Sequence, residues 1–94
     1  MKTWTVYIVR CADDTLYTGI ARDAARRVAQ HNSNDLLAAR YTRGRRPVVL
    51  VYQDVVATRS AALKREYRIK RMSREEKEEL IKPVLRAVYP SRGY

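Results

Sequence analysis

Residues 4–20 read WTVYIVRCADDTLYTGI, and this stretch decides the fold of the chain. Its first part, residues 4–11, is rich in β-branched and aromatic side chains, which is typical of a strand. Asp13 and Asp14 form a turn signal, and residues 16–20 have the composition of the strand that returns. The stretch therefore predicts a β-hairpin, around which the remaining elements must pack.

The length of the hairpin loop determines which side chains share a face of the sheet. A two-residue turn at residues 13–14 would place Tyr7 and Tyr17 on opposite faces, because side chains alternate along a strand. A three-residue loop at residues 13–15 would place Tyr7, Tyr17 and Gly19 on one face. The loop has no glycine, which the tight two-residue turn prefers. We therefore expect the three-residue loop or an equivalent bulge.

Capping signals predict three helices after the hairpin. Asp23 is a candidate N-cap for a helix over residues 24–32. Thr58 or Ser60 can cap a second helix over residues 61–72. The four residues 73–76, Ser-Arg-Glu-Glu, fit a capping box for a third helix.

The third helix should end near Pro83, because proline interrupts helical hydrogen bonding. Residues 36–46 are expected to form a loop. Residues 48–52, the most continuous apolar run, predict a strand at the centre of the sheet. The element order ββαβαα indicates an α/β fold with helices against a small sheet. We expect one domain over residues 1–86, followed by a mobile tail over residues 87–94.

Composition narrows the classes of protein to which the chain can belong. With 94 residues it has room for one domain. Its single cysteine, Cys11, excludes an internal disulfide and a zinc site built from cysteines. No apolar run approaches the roughly 18 residues of a membrane span. Because no secretory signal is visible either, we expect a cytoplasmic location and no membrane partner.

The positive charge is concentrated in one part of the chain. The net charge is +10, and residues 40–74 hold eleven basic and two acidic side chains. Arginine outnumbers lysine by 15 to 5, and a guanidinium binds phosphate through two hydrogen bonds. This distribution predicts a polyanionic partner, and nucleic acid is the first candidate.

Two helical positions and one carboxylate stand out as candidate functional residues. Arg27 and His31 are four residues apart and share a helix face near the sheet, although each could also be an ordinary surface or capping group. Glu66 follows the spacing of Leu63 and Tyr67, and we expect that face to be partly buried. Glu66 could form an ion pair with Lys70 or an arginine, or it could be an oxygen ligand for a divalent metal.

Together these features resemble the GIY-YIG nuclease superfamily over about residues 4–82, as a small stand-alone member. Val6-Tyr7-Ile8 and Tyr17-Thr18-Gly19 resemble its two strand motifs, Arg27 and His31 follow in order, and Glu66 matches its acidic metal ligand. Residues 16–20, 41–47 and 66–70 carry the closer match. The first motif departs from Gly-Ile-Tyr, and no asparagine follows Glu66, so Lys70 is a candidate for part of that role.

The resemblance implies a three-stranded antiparallel sheet flanked by helices, and a metal-dependent endonuclease acting on DNA, single-stranded or branched. It implies catalytic roles for Tyr7, Tyr17, Arg27 and His31, with Mg²⁺ or Mn²⁺ at Glu66. Tyr17 would position or deprotonate the attacking water, and Arg27 would hold phosphate oxygens. We expect the following residues to contact nucleic acid: Tyr41, Arg43, Arg45, Arg46, Lys64 and Lys70.

Two other functions are compatible with the same residues. The chain could be a nucleic-acid-binding module that has the nuclease fold but little catalysis. It could also be an interaction protein whose basic surface recruits an acidic partner. Metal-dependent nicking separates the nuclease from the binding module, and steep salt dependence separates nucleic-acid binding from a protein partner.

Overall fold

A computed structural model describes residues 2–34 and 36–88, with side chains to residue 83. The described part contains these elements, in chain order: β1 (Trp4–Arg10), β2 (Leu16–Ala21), α1 (Ala24–Ser33), α2 (Arg40–Arg43), β3 (Val49–Val56), α3 (Arg59–Lys70) and α4 (Arg74–Val88). The predicted order is confirmed, with one addition. The predicted loop at 36–46 contains the short helix α2, in whose first turn the Thr42 hydroxyl lies 2.9 Å from the Ala39 carbonyl.

The three strands form an antiparallel sheet in the order β2-β1-β3, so the prediction that residues 48–52 form the central strand was wrong. The central strand is β1, whose residues 6–9 are at most 1% exposed because helices cover both of its faces. The apolar run of β3 lies at an edge, and its Val49 and Val55 side chains are 60% and 59% exposed. The continuous apolar run thus indicated a strand but not the position of that strand in the sheet.

The hairpin has the predicted loop length, placed one residue earlier. The Cys11 N–H donates to the Thr15 carbonyl at 2.8 Å, which leaves residues 12–14 as the loop. Asp14, the last loop residue, has a φ of 68°, a left-handed conformation that aspartate tolerates. Tyr7 lies opposite Gly19, and Tyr17 also faces their side of the sheet. The predicted shared face is therefore confirmed.

The capping predictions for all three helices are confirmed. Asp23 accepts the N–H of Arg26 at 3.0 Å at the start of α1. Thr58, one of two alternatives, accepts from Ala61 at 3.1 Å, so α3 begins and ends two residues earlier than expected. Ser73 and Glu76 bind each other's backbone N–H groups at 3.1 Å, which completes the capping box of α4.

The prediction that α4 ends near Pro83 was wrong, since the helix continues to Val88. Proline removes a backbone donor, but its fixed φ is compatible with helical geometry. Residues 87–88 of the predicted tail therefore belong to α4, and residues 89–94 lie outside the described part of the chain. In the part that is described, no helix is long and apolar enough to cross a membrane.

The sheet separates the hydrophobic core into two halves, and helices cover each half. On the first face, Tyr7 and Val9 pack with Ala24 of α1. On the second face, a larger apolar cluster contains residues of β1, β3, α3 and α4, including Val6, Ile8, Ala62, Ile69 and Ile81. The predicted tyrosine face is therefore the one that α1 covers.

Candidate active site

Tyr7 lies deepest in the site, where its ring crosses the backbone of Gly19. The Tyr7 side chain is 1% exposed. A Cβ atom added at Gly19 would lie 2.6 Å from the Tyr7 hydroxyl oxygen and 2.8 Å from Cζ, closer than Cβ contacts in proteins allow. Glycine is therefore required at position 19 so that the tyrosine ring can lie flat across the neighbouring strand.

A chain of hydrogen bonds joins Tyr7 to α2 through His31. The Tyr7 hydroxyl is 2.9 Å from His31 Nε2, and His31 Nδ1 is 2.9 Å from the Thr42 hydroxyl oxygen. His31 and Thr42 are fully buried. The Thr42 hydroxyl oxygen also lies 2.9 Å from the Ala39 carbonyl, so its single proton serves either that carbonyl or Nδ1, and these two arrangements correspond to the two tautomers of the imidazole.

With the Thr42 proton on the Ala39 carbonyl, Nδ1 donates to the threonine oxygen and Nε2 accepts from the Tyr7 hydroxyl. With that proton on Nδ1, which also accepts the Ala39 N–H at 3.4 Å, Nε2 donates to the Tyr7 oxygen. In both tautomers the buried histidine has a partner on each ring nitrogen. Its position fixes the hydroxyl group of Tyr7.

Burial sets the charge state of both rings. Burial is the main cause that raises the pKa of Tyr7 to about 12, with further increases from the nearby Tyr17 phenol and Glu66 carboxylate, while the Arg27 guanidinium acts in the opposite direction. Burial also lowers the pKa of His31 to about 4, assisted by the positive charges of Arg27 and Arg46. At neutral pH the pair is therefore an uncharged phenol and an uncharged imidazole.

Tyr17 forms the more accessible side of the site. Its half-buried ring meets the edge of His31, with ring centroids 5.6 Å apart. It stacks on Tyr41 of α2, also at 5.6 Å and with 26° between the planes. The Arg45 guanidinium lies 4.1 Å from the centroid of the Tyr41 ring. Tyr41 therefore supports Tyr17, and its ring is already engaged within the protein.

Arg27 reaches the site from α1, where the helical spacing of four places it one turn before His31. Its Nη1 atom donates to the Gln30 side-chain oxygen at 3.1 Å and also to the Leu37 carbonyl. Both contacts hold the guanidinium, whose charge lowers the pKa of the Tyr7 phenol. A fixed cation near that phenol is suited to binding a phosphate oxygen.

Glu66 of α3 completes the group, although its helix face differs from the predicted one. Leu63 and Tyr67 are 39% and 62% exposed, so the prediction that they share a partly buried face was wrong. The face that packs inward carries Ala62 and Ile69, and Glu66 lies between them at helical spacing, with 19% of its side chain exposed. The Glu66 carboxylate is 3.5 Å from the Lys70 ammonium, the predicted ion pair.

The donor set at Glu66 suits one kind of metal site. Among the described residues, no three His, Cys, Asp or Glu side chains cluster in a way that could enclose an ion. Mg²⁺ is commonly bound by one or two carboxylates together with water and substrate phosphates. A single half-buried carboxylate whose charge acts on the Tyr7 phenol fits that coordination, whereas it does not fit a cage made by the protein alone.

Two of the six predicted nucleic-acid contacts, Tyr41 and Lys70, are engaged with Tyr17 and Glu66, and the other four divide into three groups. Arg43 is exposed on α2. Arg45 pairs with Asp13 at 3.0 Å, and Arg46 donates to the His31 carbonyl, so both support the loop that they belong to. Lys64 lies on the exposed face of α3, next to Leu63 and away from the face that carries Glu66. The structure therefore gathers the catalytic candidates more closely than the basic ones.

Sequence reasoning missed two side chains of the site, Thr42 and Gln30. Thr42 binds His31 Nδ1, and Gln30 holds Arg27. The available signal for Thr42 was its small polar side chain in the segment 40–46, where the other residues are arginines, Tyr41 and Gly44. Gln30 carried a weaker signal, its position three residues after Arg27 on the same helix face.

Comparison with known proteins identifies the family to which the chain is similar. The family model described as the GIY-YIG catalytic domain matches residues 3–79. A UPF0213 protein of Desulfotalea psychrophila is 57% identical over 79 residues, covering 84% of this chain and 71% of that protein. A UPF0213 protein of Staphylococcus aureus is 52% identical over 82 residues, covering 87% of this chain and 98% of that protein.

Two solution NMR structures have the same fold. The UPF0213 protein BH0048 of Bacillus halodurans is 38% identical, with a TM-score of 0.55 and coverage of 85% of this chain and 83% of that one. The protein EF2693 of E. faecalis is 31% identical, with a TM-score of 0.61 and coverage of 100% and 96%. The predicted fold and the predicted resemblance are confirmed. GIY-YIG nucleases generally depend on divalent metals. The chain therefore belongs to the GIY-YIG domain family, a family of nucleases.

Proposed function

We propose that this protein is a metal-dependent endonuclease that hydrolyses phosphodiester bonds in DNA, with single-stranded or branched DNA as its substrate. The observation that carries the proposal is the cluster of two phenols and an imidazole, with a guanidinium and a carboxylate near enough to act on the pKa of Tyr7. Tyr7 connects them, because it binds His31 directly and its pKa responds to Tyr17, Arg27 and Glu66. Perturbed groups of complementary chemistry at one site favour catalysis.

Each side chain has a role that follows from its position. Tyr17, the more accessible phenol, positions the attacking water or takes its proton, with Tyr7 or His31 assisting. The Tyr7–His31 pair lies behind it, and the 2.9 Å hydrogen bond between the two side chains holds the Tyr7 hydroxyl in place. Arg27, held through Nη1, directs its guanidinium at the nonbridging oxygens as negative charge develops on the phosphate.

Mg²⁺ or Mn²⁺ held by Glu66 would supply Lewis-acid polarisation of the phosphate and stabilise the leaving oxygen. Lys70 lies 3.5 Å from the same carboxylate and competes with such an ion for it. That competition favours a second candidate function, a nucleic-acid-binding module with the nuclease fold and little catalysis. The two functions differ in a measurable way, since only the nuclease forms new strand ends.

The test is incubation of the wild-type protein with labelled single-stranded, duplex and branched DNA and with RNA, each with Mg²⁺, Mn²⁺ or EDTA. We expect cleavage of single-stranded or branched DNA with the metals and none with EDTA. Glu66→Gln and Arg27→Ala should each reduce the rate by about 10²–10³-fold, as loss of a transition-state donor commonly does, while DNA binding in EDTA persists.

Two matched variants control for the change in charge. Arg26→Ala removes the neighbouring exposed arginine of α1, and Glu75→Gln neutralises an exposed carboxylate of α4. Both should cleave at the wild-type rate. Wild-type cleavage by Glu66→Gln would contradict the mechanism. Salt-sensitive DNA binding without cleavage under any metal condition would establish the binding module instead.

A further inference from the structure

Leu36 and Leu37 are presented to solvent by a short segment between α1 and α2. The Leu36 side chain is 90% exposed and that of Leu37 is 51% exposed. The segment is nevertheless well anchored. The Asn34 side-chain oxygen accepts the N–H groups of both leucines, at 3.0 and 3.1 Å, and the Asn34 carbonyl accepts the N–H of Ala38 at 2.8 Å. The two apolar side chains are therefore displayed by a preorganised turn.

The same segment is tied directly to the candidate active site. The Leu37 carbonyl accepts a hydrogen bond from Arg27, the guanidinium that lies beside the Tyr7 phenol. Ala38, the next residue, is 5% exposed and fixes the other end of the turn. The leucines consequently lie next to the group to which we assign the phosphate, and any strand bound there must pass close to them.

The surroundings of the leucines indicate the chemistry of their partner. Arg40 and Arg43 follow on α2 and are exposed, and Arg27 lies on the α1 side. Along the chain the leucines are flanked by three arginines, Arg27, Arg40 and Arg43, and by one acidic residue, Asp35, and this balance complements a molecule that combines negative charge with flat apolar faces. A nucleic-acid strand offers both phosphates and base faces, and leucine is among the apolar side chains that proteins insert between bases.

We propose that Leu36 and Leu37 form a wedge that packs against an unpaired base beside the phosphate bound by Arg27, and so select single-stranded or branched nucleic acid over duplex. This inference rests on the proposed nucleic-acid binding and does not require cleavage. A base in a continuous duplex is already stacked on both faces, so the wedge contacts it only after unstacking it. An unpaired base is free to receive the leucines.

The test compares the affinity of wild type and Leu36→Ser/Leu37→Ser for a single-stranded, a flapped and a duplex oligonucleotide, by fluorescence anisotropy in EDTA. We expect the double variant to lose about tenfold in affinity for the single-stranded and flapped DNA, the scale of burying part of one leucine side chain, while duplex affinity stays within twofold. A 2-aminopurine at the unpaired position should change fluorescence on binding to wild type but not to the variant.

Val55→Thr is the control, since it removes an exposed apolar methyl from the edge strand β3, where the side chain is 59% exposed. It should bind all three DNAs as wild type does, and thermal melting should show that every variant is folded. Equal losses on all three DNAs, no loss, or absence of DNA binding would overturn the wedge. So would dimerisation of the wild type that the double variant abolishes. Selective binding without cleavage would refute the nuclease and leave the wedge standing.

Discussion

Replacing Gly19 with alanine adds one methyl group where the Tyr7 ring crosses strand β2. The new Cβ would lie 2.6 Å from the Tyr7 oxygen and 2.8 Å from Cζ. Carbon atoms in contact are usually about 3.5–4.0 Å apart, so the ring must move by about 1 Å. That movement opens the 2.9 Å hydrogen bond to His31, because the imidazole is held from its other side by Thr42.

Two costs combine in this variant. Overpacking a well-packed core costs about 1–3 kcal/mol, and a lost hydrogen bond adds about 1 kcal/mol. For a chain of this size, each kcal/mol lowers Tm by about 4–8 °C, so a decrease of at least about 8 °C is expected in Gly19→Ala. Urea denaturation followed by circular dichroism gives the free energy of unfolding directly, and cleavage should fall with it.

Gly44→Ala is the matched control for this substitution. A Cβ atom there meets nothing within 4 Å, and the φ of −91° suits any residue. It should leave the free energy of unfolding unchanged or raise it by about 0.4–1 kcal/mol. In a Tyr7→Leu background, which lacks Cζ and the hydroxyl, the cost of Gly19→Ala should largely disappear. A Gly19→Ala protein as stable as wild type would refute the close packing.

Three further results are expected. Thr42→Val keeps the side-chain shape but leaves His31 Nδ1 without its hydroxyl partner, so the free energy of unfolding in urea should fall by about 1–3 kcal/mol. Arg10 and Arg74 lower the pKa of Glu78 from 4.5 to about 2. The ionised carboxylate therefore stabilises the folded protein above about pH 4.5, and this stability is lost as the pH falls towards 2. In urea titrations, Glu78→Gln should not show that loss. Because the folded chain lowers the pKa of His31 from 6.5 to about 4, the unfolded chain takes up that proton first, and unfolding free energy should decrease as the pH falls from 6.5 to 4.

Local signals in the sequence were sufficient for the elements and for one face of the sheet. The caps at Asp23, Thr58 and Ser73 depend on residues within one helical turn, and each was confirmed. Tyr7 and Tyr17 share a face whenever the loop has an odd number of residues, so the prediction remained correct although the loop lies one residue earlier. Predictions of this kind require no knowledge of distant contacts.

The predictions that failed depended on packing between distant segments. Residues 48–52 were expected at the centre because of their apolar run, but strand order depends on which strand has helices on both faces. Leu63 and Tyr67 were expected on the inner face of α3 because they have helical spacing with Glu66. Ala62 and Ile69 also have helical spacing with Glu66, and theirs is the face that is buried. Thr42 escaped notice because nothing local indicates that a threonine among arginines binds a buried histidine.

The burial of each residue in the site determines whether its replacement affects stability as well as activity. Tyr7, His31 and Thr42 are at most 1% exposed, and their hydrogen bonds satisfy polar groups that would otherwise be costly inside the α1 half of the core. Changes among them must therefore alter stability and activity together. Tyr17 and Glu66 retain solvent access, so changes there can remove chemistry from a folded protein. Variants of the buried residues should therefore lose both unfolding free energy and cleavage rate, whereas variants of the accessible residues should lose cleavage rate alone. If Glu66 variants lose both, the Glu66 carboxylate is a structural partner of Lys70 rather than a metal ligand.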